Sequence, residues 1–169
     1  GTVCIHNGIV TNVNDLWIKN PSFDREFEID TEIIPILIRK GLHNKLSITD
    51  AVINTFNEIY GMTSIAMFFD DMNLLLLATN NGSLYTAQDS DSGLFIFASE
   101  EYILKRLSEK RFFKKLFRKL NITKINPGNG NLVNTQNINS KNFSLLNEFD
   151  NNHIGIEITK PIKINDIKP

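Results

Sequence analysis

An α+β fold is predicted for this chain, with antiparallel strands backed by helices. Three observations predict it. Short apolar runs at 64–69, 73–79, 83–87 and 93–98 are separated by turn-forming clusters, Asp70-Asp71, Asn80-Asn81-Gly82 and Asp89 to Ser92. Ser47-Ile48-Thr49-Asp50 resembles a capping box in front of an apolar stripe. A long basic amphipathic stretch runs from Glu100 to Leu120.

The elements follow in order. Thr2 to Ile5 reads as a strand that kinks at Asn7-Gly8 and resumes at Ile9-Val10. Asn12 to Ile18 forms a short helix or turn, which Asn20-Pro21-Ser22 breaks. Asp30 to Lys40 carries apolar residues at 33, 34, 36, 37 and 38 and reads as a buried helix. Asp30 is its natural N-cap, Gly41 follows its end, and Pro35 bends its first turns. The capped helix runs to Tyr60, with Ala51, Val52, Thr55, Phe56 and Ile59 on one face and Gly61 as its stop. The four middle strands read as a meander. Asn126-Pro127-Gly128-Asn129-Gly130 is a break, and weaker strands lie near 132–134, 143–146 and 153–158.

Composition bounds the function. The 169 residues suffice for one domain, 1–169, with a real core. A net charge of −1 gives no general attraction to nucleic acid or an anionic membrane. One cysteine, Cys4, excludes an internal disulfide and a cysteine zinc cluster. His43 and His153 are isolated, and no metal site or cofactor is expected. No apolar run reaches the roughly 18 residues a membrane span needs, and no signal-peptide pattern opens the chain. A cytoplasmic location fits best.

The chemistry concentrates near the start. Asn-Gly is by itself the commonest hairpin signal. Here an apolar run delivers it, and a strand can present a backbone N–H and a side-chain amide at one point, as an oxyanion requires. His6-Asn7-Gly8-Ile9-Val10-Thr11-Asn12 and Asp30-Thr31-Glu32-Ile33-Ile34 together resemble the glutaminase domain of class II glutamine amidotransferases. The resemblance is nearest to the glucosamine-fructose-6-phosphate aminotransferase and amidophosphoribosyltransferase types. Tyr60-Gly61, Leu76-Leu77-Ala78, Gly82-Ser83-Leu84, Phe97-Ala98-Ser99-Glu100 and Ile125 to Gly128 continue it in order, so that it covers about 3–135. Residues 136–169 supply closing strands and a tail.

The resemblance implies a four-layer α/β/β/α sandwich of antiparallel sheets, the N-terminal-nucleophile hydrolase type, here lacking its first strands. It implies that the Asn7 amide and Gly8 N–H form an oxyanion hole, Gly8 letting the substrate approach closely, and that Asp30 pairs with the ammonium of glutamine. The family's nucleophile is an N-terminal cysteine, whereas this sequence begins Gly1-Thr2-Val3. The expected arrangement is therefore a glutaminase whose nucleophile comes from a missing N-terminal segment or companion chain, feeding ammonia to a synthase or transferase domain. A non-catalytic glutaminase-like binding or regulatory module is the alternative. Cys4, inside an apolar run, reads as a small core residue and His6 as a hydrogen-bonding neighbour of the oxyanion pair. The family's arginine within 78–81 and its proline before Leu84 are both absent.

Two expectations concern partners. The basic stretch 102–120 reads as a helix on the sheet with a solvated face; a docking surface for an acidic partner or anionic membrane is its sharper reading. Without the first strands, open edges and apolar faces make a partner peptide or a homo-oligomer the expected remedy.

Overall fold

The structure, a computed structural model, describes residues 1–89, 93–116 and 120–146. Strand β1 (Thr2–Val10) runs unbroken through Asn7-Gly8, where the sequence predicts a kink. Nine consecutive residues of pairing with β2 (Gly61–Phe69) keep it extended. Strand β3 (Leu74–Thr79) follows β2, and β7 (Asn129–Asn134) and β8 (Ser140–Ser144) complete an antiparallel sheet in the order β1-β2-β3-β7-β8. The register places Asn7 opposite Ser64, Ser64 opposite Thr79, Thr79 opposite Asn129, and Asn129 opposite Ser144.

The predicted meander is corrected. Strands β4 (Tyr85–Asp89) and β5 (Leu94–Ala98) belong to a second sheet, ordered β5-β4-β6, with β6 at Asn121–Lys124. The link after β3 crosses between the sheets, and Asn80 and Asn81 fix that crossing. Asn80 Oδ1 accepts from the Thr63 N–H at 2.7 Å, and Asn81 Oδ1 accepts from Ser64 Oγ at 2.7 Å and the Ser83 N–H at 3.0 Å.

A short helix, α1 (Val13–Lys19), follows β1, and two longer helices cover the outer face of the large sheet. Helix α3 (Ile48–Glu58) starts as predicted, with Ser47 Oγ accepting from the Asp50 N–H at 3.1 Å, but ends two residues before Tyr60. Helix α2 (Ile33–His43) departs further from expectation. A 3-10 turn at Asp30–Glu32 precedes it, and no side-chain cap bond comes from Asp30. Pro35 occupies the first turn of α2, where a missing N–H costs little. Gly41 lies inside α2 rather than beyond it, because a Cβ there would press on Ala51 of α3 at 2.8 Å. Ile34, Ile38 and Val52 from these helices meet Ile65, Met67 and Leu76 in one buried cluster. A smaller cluster of Ala66, Leu77, Leu84 and Ile125 joins the two sheets.

The stretch expected as one helix over 100–120 is two, α4 (Glu101–Ser108) and α5 (Arg111–Leu116). Helix α4 packs on the small sheet through buried Leu104, while Lys105 and Arg106 pair outward with Glu101 and Glu109. The layers are therefore helices α2 and α3, large sheet, small sheet, and helix α4, the four-layer sandwich that the resemblance implies. Strand β6 was not anticipated, since Asn121-Ile122-Thr123-Lys124 has one apolar residue. The strand expected at 153–158 lies outside the described residues, and no described helix is long and apolar enough to cross a membrane.

Candidate active site

Alternation along β1 divides the site between two faces. Cys4 and Val10 turn toward the helix-side core, so His6 turns with them. Val3, Ile5, Asn7 and Ile9 face the other way, toward the space between the sheets. A groove of about 260 Å³ lies there, and Asn7 lines it with Ile5, Ser64, Ser83, Phe97 and Ser99. The Asn7 side chain has no hydrogen-bond partner among the described residues, so its amide is available to a ligand.

Strand β1 is the outer strand of its sheet. Neighbouring residues on an antiparallel strand send their N–H groups to opposite edges. The Thr11 N–H donates inward to the Tyr60 carbonyl at 2.8 Å, and the Val10 N–H donates outward to Asp30 Oδ2 at 2.7 Å. The Gly8 N–H shares the outward edge with Val10, and that edge has no neighbouring strand among the described residues.

The strand itself places a further demand on Gly8. Its φ of 150° is one that side chains rarely adopt, and an added Cβ would collide with the Met62 carbonyl oxygen. The glycine thus serves the pairing with β2 itself. Gly61 does the same from the opposite strand, where a Cβ would strike the Ile9 carbonyl oxygen.

Asp30 is not a helix cap; it is a clasp on β1. Besides Val10, it faces His6, whose Nδ1 lies 3.8 Å from Oδ1. The same Nδ1 is 3.2 Å from Thr31 Oγ1, so the Asp-Thr pair grips the strand on both sides of Gly8. Burial lowers the pKa of His6, with the nearby Asp30 carboxylate and the Met62 backbone pulling the other way. A neutral imidazole suits a residue that positions its neighbours. Asn12 secures the far end of the strand: its amide donates to the Glu58 carbonyl at 2.8 Å and accepts from the Tyr60 N–H at 2.9 Å.

Cys4 is excluded from this site by geometry. It faces the side opposite Asn7, and burial pushes its thiol up to about 12. The structure thus joins Asp30 to the strand that carries Asn7 and Gly8, through His6 and Val10. The sequence reading missed the groove wall formed by Ser64, Ser83, Phe97 and Ser99. Ser64 carries no signal until the register sets it opposite Asn7, and Ser83 and Ser99 reach the groove only once the two sheets stack.

The family model for a glutamine amidotransferase domain matches residues 1–106. Glutamine–fructose-6-phosphate aminotransferase (isomerizing) of Bartonella quintana is 30% identical over 80 residues, 46% of this chain and 13% of that protein. Its counterpart in Clostridium acetobutylicum is 27% identical over 112 residues, 65% of this chain and 18% of that protein. The chain thus spans less than a fifth of these relatives. Among solved structures, the glutamine phosphoribosylpyrophosphate amidotransferase of B. subtilis superimposes with a TM-score of 0.66 at 18% identity, covering 86% of this chain and 29% of that one. A glutamine aminotransferase class-II domain protein from Silicibacter pomeroyi gives 0.52 at 14% identity, covering 86% and 69%.

Proposed function

The chain is a member of the class II glutamine amidotransferase family, and on that premise we propose that it carries the substrate-polarising part of a glutaminase site. The reaction is hydrolysis of glutamine to glutamate and ammonia, the ammonia passing to an acceptor. Asn7 and Gly8 hold the carboxamide oxygen as it becomes an oxyanion. Asp30 takes the α-ammonium. A cysteine thiolate attacks the carboxamide carbon, ammonia leaves, and water releases glutamate from the thioester. That cysteine comes from a segment outside these 169 residues.

The observation that carries this reading is the outward edge of β1. The Gly8 N–H and the Asp30 carboxylate at Val10 stand two residues apart on it, roughly 7 Å along a strand. An amino acid with its carboxamide two methylenes beyond the α-carbon suits that spacing. The segment with the nucleophile has a seat as well. Val3, Ile5, Ile9 and Met62 are each more than half exposed on the inner side of the large sheet, beside the groove at Asn7 and the open edge of β5. An apolar strand laid there covers this face and brings its end to Asn7.

The decisive experiment purifies the native protein from its host, sequences its N-termini and assays ammonia release. A cysteine-led segment is expected with the chain. In that assembly, Asn7→Ala lowers kcat by roughly 10²–10³ with less effect on KM, and Asp30→Ala raises KM. Wild-type kinetics in both variants would overturn the assignment.

A second reading, a glutamine-binding or regulatory module without catalysis, is favoured by Cys4. The one thiol of this sequence faces away from Asn7 and is held protonated. It predicts glutamine binding that depends on Asp30 with no ammonia release from the native assembly.

A further inference from the structure

At the flank opposite β1, the two sheets end in β8 and β6, and a cavity of about 340 Å³ opens between them. The inner faces of a sandwich are ordinarily apolar. Here Asn129, Asn131 and Asn142 of the large sheet face Gln88, Asn121 and Thr123 of the small one. Apolar residues would join the sheets more tightly, since an amide buried without a partner costs stability. Asn121 and Asn142 stand exposed at the mouth, but Asn131 is buried, and that amide needs an explanation beyond packing.

Their hydrogen bonding is incomplete in a directed way. Asn131 is nine-tenths buried, and its Nδ2 donates to Asn142 Oδ1 at 2.6 Å. Its own Oδ1 is buried with no partner. The Asn142 amide N–H groups and the whole Asn121 side chain have no partner among the described residues. Asn131 Oδ1 is left to accept, the Asn142 N–H groups to donate and Asn121 to do both, a set that matches neighbouring hydroxyls. One aromatic ring, Phe95, adds an apolar wall. Lys124 is the only charged residue among the described residues of the lining, and its ammonium sits 5.7 Å over the Tyr85 ring. Among the described residues the lining holds no carboxylate and no guanidinium, so nothing there pairs with a cation or clamps an anion with a fork of donors. The volume is at the lower end for small-molecule sites.

We propose that this slot binds a neutral polyhydroxylated molecule of monosaccharide size, its hydroxyls on the asparagine amides and its C–H face on Phe95. The site is separate from the Asn7–Asp30 edge and does not depend on the glutaminase reading.

Saturation-transfer NMR on the whole chain with D-glucose, D-galactose and D-mannose tests it. Transfer to the ring protons of at least one hexose is expected. Asn142→Ala, on an exposed strand position, should weaken that hexose about tenfold, the loss of one uncharged hydrogen bond. Phe95→Leu, which keeps an apolar side chain, should weaken it too while the far-UV spectrum stays unchanged. No transfer from any of the three overturns the proposal, and the slot then holds water alone. Transfer that neither variant alters places the hexose elsewhere and overturns it equally. Loss of transfer on adding inorganic phosphate would mark an anion site at Lys124 instead.

Discussion

Gly8 carries a steric demand that its motif does not announce. The motif singles it out for close approach of a substrate, yet the steric demand comes from the Met62 carbonyl behind it. Gly8→Ala should therefore cost stability before it costs chemistry, on the order of 2 kcal/mol for strain at this backbone position. Urea unfolding of the chain would show it, and an unchanged midpoint would mean that β1 and β2 can part without penalty. Asp30 teaches the complementary lesson. Its sequence context, an acid before an apolar helix, reads as a cap. Its actual partner, the Val10 N–H, lies twenty residues earlier and no local pattern announces it. Cys4 yields a prediction from its environment. A thiol raised from 9.0 to about 12 is protonated at neutral pH and should react with iodoacetamide far more slowly than in the urea-unfolded chain. The same burial favours the neutral form in the fold. Its contribution to stability is full below pH 9 and is lost as pH rises toward 12, and Cys4→Ala should remove that part of the alkaline loss.

At the level of elements, what the sequence reveals depends on how local the cause is. Helix α3 begins where Ser47 says it should, because cap and first turn are three residues apart. Ser47→Ala should cost about 1 kcal/mol in thermal or chemical unfolding. Helix α2 misleads because Gly41, a stop signal by composition, is there to let α3 approach. Gly41→Val should force the two helices apart and lower the melting temperature; retention of the wild-type value would show that Ala51 can yield. Strand β6 went unseen for a related reason. Its four residues become a strand by pairing with β4, and nothing in their own polarity requires it. The four middle strands are readable as strands, but as one antiparallel meander, of which only the β2–β3 and β4–β5 neighbours exist. Their division between sheets is not readable, since it depends on Asn80 and Asn81 tying the crossing to Thr63 and Ser64.

For the molecule as a whole, the unsolved surface is the inner side of β1 and β2. Val3, Ile5 and Ile9 on the outer strand and Met62 on its neighbour present an exposed apolar strip, an arrangement that invites pairing with another chain. The chain alone should therefore self-associate in sedimentation, and an apolar strand-forming peptide led by cysteine should return it to one discrete species. A monodisperse monomer without any peptide would count against a seat for a companion segment.

The pairing of β3 has a consequence in time. Its second neighbour is β7, with Thr79 opposite Asn129, and the whole small sheet is made in between. A chain emerging from the ribosome can zip β1, β2 and β3 together early. It must then hold an apolar strand, Leu74 to Ala78, with one side open while some fifty further residues are made. Pairings this distant in sequence slow folding. The interval before β7 arrives is when this chain is most exposed to capture by the wrong strand, from another copy of itself or from a chaperone.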